Sequence, residues 1–297
     1  MNGLVAKAEI LIEAIPYIRT YFGKTFVIKY GGNAMVNEEL KRAVMQDIVL
    51  LKFLGVNPVL IHGGGPEITQ MLKRVGKKSE FIQGLRVTDT ETMEIVQMVL
   101  VGKLNKEIVA KLNLLGGRAV GLSGQDANLL VAKKTVPTMP EGYQGEIPDI
   151  GFVGEVTKIN TAILEELIAS NYIPVISSIG VGEDGGSYNI NADTAAGELA
   201  AALKAEKLVM LTDVEGIFED YQDKSSLISA LKVDQAYQMI SQGKIEGGMI
   251  PKVQACITAI QAGVNRTHII DGRQLHSMLL EILTDQGIGT MVVNERL

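Results

Sequence analysis

The chain has 297 residues, of which 46% are hydrophobic, and its 28 Lys and Arg against 34 Asp and Glu give a net charge of -6. This length suits one large α/β domain or two closely joined lobes, and the apolar content argues against intrinsic disorder. The acidic balance argues against a nucleic-acid-binding protein, which needs a basic face, but a local pocket can still bind anions.

Cysteine content and hydropathy exclude further classes of protein. The single cysteine, Cys256, excludes internal disulfides and cysteine-based metal clusters, and it falls in an apolar helical register with Val253 and Ile257. The three histidines lack metal-ligand spacing, so no protein-held metal is expected. Glu9 and Glu13 interrupt the apolar residues at the start of the chain, which argues against a signal peptide, and no stretch reaches the roughly 18 apolar residues of a membrane span. We therefore expect a cytoplasmic protein that does not enter a membrane.

The first predicted element is a helix within residues 1–22. Pro16 should kink it, because proline cannot bond to the carbonyl of Ile12. Two interpretations remain open: the helix packs on its own domain, or it is an arm that pairs with the same helix of another subunit. Its apolar positions recur at spacings of three and four and are Leu4, Ala8, Leu11, Ile15, Ile18 and Phe22.

Strand-like and helix-like segments then alternate, which predicts an α/β fold with a mostly parallel sheet. The predicted strands are Thr25–Lys29, Pro58–His62, Arg118–Leu122, Ile173–Ser177, Lys207–Thr212 and Thr267–Ile270. The predicted helices are Glu38–Leu54, Pro66–Val75, Thr90–Leu115, Thr161–Ser170, Ala192–Leu203, Val233–Gln242 and Met249–Ala262. The segment Lys133–Gly154 is rich in Pro and Gly and is predicted to form a hairpin or an excursion. A soft boundary between two lobes is expected near Gly180–Gly186.

Two glycine-rich turns follow neighbouring predicted strands, at Gly31-Gly32 and at Gly63-Gly64-Gly65. Backbone N–H groups in such turns, reinforced by the dipole of the next helix, form anion sites. In open α/β sheets, ligands bind beyond the carboxyl ends of the strands. The two turns therefore predict an anionic ligand at this edge of the sheet.

Two lysines accompany glycine turns at opposite ends of the chain. Lys29 ends an apolar strand, where burial requires a neutralising partner, and Lys252 follows Gly247-Gly248. Asp193 could hold both ammonium groups, which suggests phosphoryl transfer; it could equally cap the helix that starts beside it, and the two roles are compatible. Asn189 and Asn191 alternate with Asp193 in an extended stretch, and Arg86 has the fork geometry that suits a carboxylate.

Taken together, these segments resemble the amino acid kinase family over nearly the whole chain. The matching segments are Lys29–Met35, His62–Pro66, Gly84–Thr88, Pro174–Gly180, Tyr188–Asp193, Leu211–Ile217 and Gly248–Lys252. The resemblance implies a three-layer α/β sandwich with a central, mostly parallel open sheet, and ATP-dependent phosphorylation of the γ-carboxylate of N-acetyl-L-glutamate in arginine synthesis. It also implies Mg²⁺ carried by ATP.

The resemblance also implies roles for individual residues. Lys29 and Lys252 would stabilise the transferring phosphoryl group, and Asp193 would orient both lysines. The acetylglutamate would contact Gly64, Gly65, Arg86, Asn189 and Asn191. The nucleotide would contact Gly31, Gly32, Thr212, Asp213, Gly216, Ile217, Phe218, Lys244, Ile245 and Glu246.

The kinked helix is similar to that of the arginine-inhibited members of the family, in which it links dimers into a hexamer. This implies an oligomerisation helix at residues 1–22, a lobe for acetylglutamate binding and dimerisation at 23–180, and a lobe for ATP and arginine at 181–297. By the same resemblance, arginine would contact Tyr21, His268, Glu281 and Gly287. Regulation by a PII-type signal protein stays undecided.

Three alternatives remain open at this point. The substrate could be acetylaminoadipate or a carrier-linked glutamate, since pocket width decides among close relatives. The chain could also be a non-catalytic amino-acid sensor on the same fold. The presence of Lys29, Asp193 and Lys252 together argues against a sensor, which would not need them.

Overall fold

The secondary structure is described for residues 9–35, 37–139, 142–285 and 287–294 of a computed structural model. The strands are β1 Thr25–Tyr30, β2 Asn57–His62, β3 Phe81–Ile82, β4 Leu85–Arg86, β5 Ala119–Ser123, β6 Leu130–Lys134, β7 Val153–Ile159, β8 Ile173–Ser177, β9 Ile179–Val181, β10 Ser187–Ile190, β11 Lys207–Thr212, β12 Ala230–Lys232, β13 Arg266–Asp271 and β14 Thr290–Val293. The α-helices are α1 Ile15–Tyr21, α2 Glu38–Phe53, α3 Gly65–Arg74, α4 Thr90–Gln97, α5 Asn105–Leu114, α6 Ala162–Ala169, α7 Ala192–Ala202, α8 Val233–Ser241, α9 Met249–Gln261 and α10 Ser277–Leu283.

Eight strands form the central sheet, in the order β12-β14-β13-β11-β1-β2-β8-β5. Neighbouring strands are parallel except for β13 and β14. All six predicted strands belong to this sheet, and the prediction of a mostly parallel sheet is confirmed. Because β1, β2, β8 and β11 run in parallel, their carboxyl ends meet at one edge, where the glycine turns and Lys29 lie.

Helices cover both faces of the sheet, as the alternation of side chains along β1 illustrates. Phe26 and Ile28 pack in one core cluster together with α2, α5 and α10. Val27 points to the other face and packs with α7 and α9. The prediction of a three-layer sandwich is confirmed. Lys29 lies two residues after Val27 on the same strand, so its side chain points to the same face of the sheet, which is the face that carries α7.

Four strands outside the main sheet close into a small barrel, in the order β10-β7-β6-β9. Strands β6 and β7 are antiparallel, so the segment between them is the loop of a long hairpin, as predicted for Lys133–Gly154. The end of that loop returns to the main body at a bridge between Thr88 and Gly151. The barrel thereby places β10 and the Arg86 segment next to the carboxyl edge of the sheet.

The predicted helix at Thr90–Leu115 is helical throughout, but its hydrogen bonding changes in the middle. Residues Met98–Leu104 form a π-helix between α4 and α5. Such widened turns often occur at functional sites. Leu100 and Leu104 from this segment pack so closely against Gly64 that a Cβ there would collide with both. The π-helix therefore forms the wall behind one of the glycine turns.

The N-terminal helix is interrupted at Ala14, two residues before Pro16, which lies in the first turn of α1. This interruption agrees with the predicted proline effect; Leu4 and Ala8 of the predicted stripe lie outside the described residues. Tyr21 packs in the core, while the apolar side chains before Pro16 lie exposed. The exposed members are Ile10, Leu11, Ile12 and Ile15. No helix in the described ranges is long and apolar enough to cross a bilayer.

Candidate active site

Asp193 lies between the two lysines. Lys29 Nζ is 2.8 Å from Oδ1 of Asp193, and Lys252 Nζ donates a hydrogen bond to Oδ2 at 2.7 Å. All three side chains are largely buried. Burial raises the pKa of the Asp193 carboxyl, but the charges and hydrogen bonds of Lys29 and Lys252 outweigh it and hold the pKa below its usual value. The site therefore contains two ammonium groups on one carboxylate.

The position of Asp193 follows from how α7 begins. Asn191 is the N-cap of this helix, and its Oδ1 accepts hydrogen bonds from the N–H groups of Asp193 and Thr194. The suggestion that Asp193 itself caps the helix is therefore wrong. With the cap supplied by Asn191, the Asp193 carboxylate is left to hold the lysines. The cap also occupies the Asn191 oxygen, so this residue can offer a ligand only its amide N–H groups.

Asp193 also lies where two cavities approach each other. A small cavity of about 210 Å³ is lined by Lys29 and Asp193, and a large cavity of about 610 Å³ is lined by Lys252. Because Asp193 bonds to both lysines, it connects the two cavities. The small cavity suits a compact ligand, whereas the large cavity has the size typical of sites for larger small molecules.

All residues predicted to bind the acidic substrate line the small cavity: Gly64, Gly65, Arg86, Asn189 and Asn191. Arg86 is only 7% exposed. It donates to Ser79 Oγ, Thr69 Oγ1 and the carbonyl of Gly65, and its guanidinium lies over the ring of Phe81. No carboxylate of the described residues forms an ion pair with it. A buried cation with only neutral partners favours an anionic ligand in this cavity.

The two glycine turns form the floor of the small cavity, together with Lys29. Gly32 has a φ of +68°, and a Cβ there would collide with the carboxylate of Asp213. Gly64 is the N-cap of α3, so the N–H groups of this helix terminus face the cavity edge. Gly31 and Gly32, which were predicted to contact the nucleotide, thus line the small cavity beside Lys29.

His62, which precedes the second turn, is structural. Its Nδ1 donates to the carbonyl of Gly63, and Asn105 Nδ2 lies 3.3 Å from its Nε2. Burial lowers the pKa of His62 to about 4, so the ring is neutral near pH 7. His62 therefore holds the turn and contributes no positive charge to the site.

The large cavity contains most of the residues predicted for the nucleotide: Thr212, Gly216, Ile217, Phe218, Lys244, Ile245 and Glu246. Asp213 does not line this cavity; its carboxylate packs on Gly32 and so connects the end of β11 to the first glycine turn. The large cavity also includes Tyr221, which the sequence did not indicate and which forms an edge-to-face pair with Phe218. Among the described residues, no group of three or more His, Cys, Asp and Glu is arranged to hold a metal ion.

A second polar cluster lies between α1, β13 and α10, and it brings together the four residues predicted to contact arginine. Glu281 accepts hydrogen bonds from His268 Nδ1 at 2.7 Å and from the backbone of Ile288 and Gly289. A Cβ on Gly287 would lie 3.3 Å from the same carboxylate. Burial raises the pKa of Glu281, but the His268 contact and the backbone N–H groups bring it below its usual value.

Lys207 joins Tyr21 to this cluster, a position that the sequence pattern does not indicate. Its Nζ lies 2.8 Å from Nε2 of His268 and 5.0 Å from the centre of the Tyr21 ring. Burial, with the charge of Arg266, lowers the pKa of Lys207 to about 8. A lysine, a histidine, a carboxylate and a tyrosine are thus packed together at the base of the N-terminal helix.

The chain belongs to the amino acid kinase family, whose family model matches residues 24–271. This confirms the resemblance predicted from the motifs. An acetylglutamate kinase of Desulforamulus reducens is 60% identical over 295 residues, which span 99% of this chain and 100% of that relative. The prediction of a kinase is confirmed by this match.

Solved structures agree on the fold. An N-acetylglutamate synthase of Neisseria gonorrhoeae, complexed with coenzyme A and N-acetyl-glutamate, superposes with a TM-score of 0.83 at 28% identity. The match covers 98% of this chain but only 64% of the synthase, so the chain spans less than two thirds of that protein. The same synthase complexed with coenzyme A and L-arginine matches with a TM-score of 0.79 at 25% identity and covers 97% of this chain and 65% of that one.

Proposed function

We propose that the protein transfers the γ-phosphoryl group of ATP to the γ-carboxylate of N-acetyl-L-glutamate, giving N-acetyl-L-glutamyl 5-phosphate for arginine synthesis. The observation that carries this proposal is the Asp193 bridge: one carboxylate fixes two lysines at the junction of a small and a large cavity. The near-full-length similarity to acetylglutamate kinases supports the choice of substrate.

The chemistry needs no general base, because a carboxylate is already ionised and nucleophilic at pH 7. Its difficulty is electrostatic: two anions must approach each other while negative charge moves between them. Lys29 would act from the acid side of the transferring phosphoryl group and Lys252 from the nucleotide side. Asp193 keeps the two ammonium groups at a fixed spacing, so little reorganisation accompanies the reaction.

The acidic substrate is assigned to the small cavity. Arg86 would pair with the α-carboxylate, and Asn189 and Asn191 would contact the remaining carboxylate oxygen and the acetamido group. The N–H groups at Gly64 and Gly65 would receive the γ-carboxylate or the phosphoryl oxygens. ATP would occupy the large cavity, with its phosphates directed towards Lys252 and the turn at Gly31 and Gly32.

Mg²⁺ would arrive bound to the nucleotide. Phosphate oxygens are ligands that Mg²⁺ prefers, so the phosphates themselves would coordinate the ion. Asp213, beside the first glycine turn, is the carboxylate best placed to contact it indirectly. When bound, the ion would neutralise part of the phosphate charge alongside the two lysines.

Acyl-phosphate trapping with hydroxylamine tests this function. The purified protein is incubated with Mg-ATP and, in separate reactions, N-acetyl-L-glutamate, acetylaminoadipate or free glutamate. We expect hydroxamate chiefly from acetylglutamate, because the compact cavity disfavours the longer acetylaminoadipate and free glutamate lacks the acetamido group proposed to contact Asn189 or Asn191. Equal or greater product from acetylaminoadipate would reassign the substrate, and no product from any acid would overturn the proposal.

The second polar cluster is proposed as a site for arginine that inhibits the enzyme. Glu281 would pair with the guanidinium and Lys207 with the carboxylate of the ligand. The L-arginine complex of the similar Neisseria gonorrhoeae synthase supports an effector of this kind. Because Tyr21 belongs to the cluster, the ligand would contact the base of the N-terminal helix.

The remaining assignments follow the same proposal. The exposed apolar side chains before Pro16 would pair with the same helix of another subunit, joining dimers into a trimer of dimers. Residues 23–180 would form the acid-binding and dimerisation lobe, and residues 181–297 would bind ATP and arginine. We place the enzyme in the cytoplasm, where ATP and the intermediates of arginine synthesis are found.

A further inference from the structure

Thr88 lies behind the small cavity and is completely buried. Its hydroxyl Oγ1 donates to the carbonyl of Arg86 at 2.7 Å, and Nδ2 of Asn189 donates to the same oxygen at 3.3 Å. One hydroxyl thus connects the backbone of one proposed substrate-binding residue to the side chain of another. Thr88 itself does not line the cavity.

The hydrogen-bond chain fixes the orientation of the Asn189 amide. A backbone carbonyl can only accept, so the single proton of the Thr88 hydroxyl is directed to Arg86. Oγ1 then has only lone pairs to offer Asn189, which must present its NH₂ group rather than its carbonyl oxygen. If the amide were reversed, two acceptors would face each other in a buried position, at a substantial cost.

The backbone around both residues leaves that amide as the main adjustable group. Thr88 N donates to Ile150 O and Thr88 O accepts from Phe152 N, which fixes Thr88 in place. The N–H of Asn189 donates to the carbonyl of Phe152, and β10 pairs with both β7 and β9. The backbone of the strand that carries Asn189 is therefore held in place. Which amide atoms of Asn189 face the cavity depends on the rotation of its side-chain amide.

We infer that Thr88 is a positioning residue whose hydroxyl sets the amide of Asn189 and thereby the affinity of the small cavity for its acidic ligand. With Nδ2 held by Thr88, Asn189 keeps Oδ1 and its second N–H for the ligand in one defined arrangement. The inference rests on the proposed role of Asn189 in binding acetylglutamate. It predicts that loss of the Thr88 hydroxyl changes the KM for the acid and leaves the KM for the nucleotide unchanged.

Two substitutions of Thr88 test the inference by steady-state kinetics. Thr88→Val keeps the shape and the β-branch but removes the hydroxyl, whereas Thr88→Ser keeps the hydroxyl. We expect Thr88→Val to raise the KM for acetylglutamate about tenfold, as the loss of about one hydrogen bond implies, with the KM for ATP unchanged. Thr88→Ser should restore a value within about twofold of wild type.

The double variant with Asn189→Ala separates positioning from a general packing effect. If Thr88 acts through Asn189, adding Thr88→Val to Asn189→Ala should raise the KM for the acid no further. Additive effects, or equal rises in both KM values, would overturn the inference. Because KM does not depend on the fraction of folded enzyme, a destabilised Thr88→Val can still be measured, and Thr88→Ala provides a second variant without the hydroxyl.

The same measurements separate this inference from the proposed function. An unchanged KM for acetylglutamate in Asn189→Ala would exclude Asn189 from substrate binding and overturn the role of Thr88, while the proposed reaction would still be judged by hydroxamate formation. A raised KM in Asn189→Ala combined with an unchanged KM in Thr88→Val would overturn only the role of Thr88. Hydroxamate formation by the wild-type enzyme is scored independently of either variant.

Discussion

Asp47 and His276 form a contact between two helices that belong to different parts of the chain. His276 Nδ1 lies 2.6 Å from Oδ1 of Asp47, whose side chain is almost completely buried. Asp47 lies in the middle of α2, and His276, with a left-handed φ of 57°, immediately precedes α10. The helix that carries Glu281 is thereby held to the helix that follows the first glycine turn.

The burial of Asp47 makes the stability of the protein depend on pH. Burial raises the pKa of Asp47 from 3.8 to about 6, against the opposing effect of His276. Between these values the folded chain binds a proton that the unfolded chain does not, so this group favours folding increasingly as the pH falls. Relative to Asp47→Asn, the wild-type free energy of unfolding should therefore rise by up to about 2 kcal/mol from pH 7 to pH 4.5.

Urea unfolding of both proteins across that range measures the difference. Glu94→Gln, at an exposed helical position, is the matched control and should show no comparable trend. A difference that falls as the pH is lowered would contradict the raised pKa of Asp47.

Removing Lys29 should affect the chemical step. Lys29→Ala is expected to lower kcat by at least about 100-fold with a smaller effect on either KM, because the charge it neutralises is greatest in the transition state. Initial rates of hydroxamate formation at saturating substrates provide the measurement. Lys24→Ala removes a half-exposed lysine just before the other end of β1 and should retain wild-type kcat. An unchanged kcat in Lys29→Ala would exclude Lys29 from the mechanism.

Arg86 should contribute to the binding of the acid and not to that of ATP. Arg86→Ala is expected to raise the KM for acetylglutamate about 10- to 100-fold, the range for a lost charged hydrogen bond, while the KM for ATP changes little. Arg118→Ala is a suitable control, since Arg118 is exposed and stacks on Tyr172 away from both cavities. A selective rise in the KM for ATP would contradict the assignment of the small cavity.

Loss of Glu281 or Lys207 should weaken the inhibition of the enzyme by arginine. In Glu281→Ala and Lys207→Met we expect the arginine concentration for half-inhibition to rise at least about tenfold, because each variant removes one proposed charged contact. Inhibition curves at fixed substrate concentrations provide the measurement, with Lys158→Met as an exposed lysine control. Unaltered inhibition in both variants would place the effector elsewhere.

The N-terminal helix should determine the size of the assembly. Deletion of residues 1–20 is expected to leave a catalytically active dimer, because the exposed apolar side chains before Pro16 are lost while both cavities stay intact. Light scattering after size-exclusion chromatography gives the mass. Leu11→Asp tests the same surface without truncation, since Leu11 is 71% exposed. A hexamer that survives the deletion would refute the proposed arm.

Six of the eight strands of the main sheet could be predicted because they are short apolar runs followed by turn residues, as in β1 and β8; β12 and β14 at one side of the sheet could not. The barrel strands could not, since β6 ends in two exposed lysines and β9 has only three residues. Helix α10 is not predictable from the sequence either, because it has seven residues and no capping side chain. Local pattern carries little signal for elements that tertiary contacts stabilise.

The same distinction applies to the site. Lys29, Asp193 and Lys252 could be predicted because each occurs beside a glycine turn or a helix start. Lys207 could not, since in the sequence it is only the first residue of a strand, and its role depends on His268, 61 residues further along. The capping residue of α7 could not be decided from the sequence, because Asn191 and Asp193 are both of residue types that favour the N-cap.

The bridge at Asp193 means that the two lysines have a counter-ion within the protein itself. Each lysine is paired with this carboxylate, so an anion that enters must compete with Asp193 for the two ammonium groups. A ligand that also has contacts elsewhere, such as the proposed ATP in one cavity or the proposed acid on Arg86 in the other, would compete better than an anion that contacts the lysines alone. The internal carboxylate would thus make binding depend on the whole ligand and not on its charge alone.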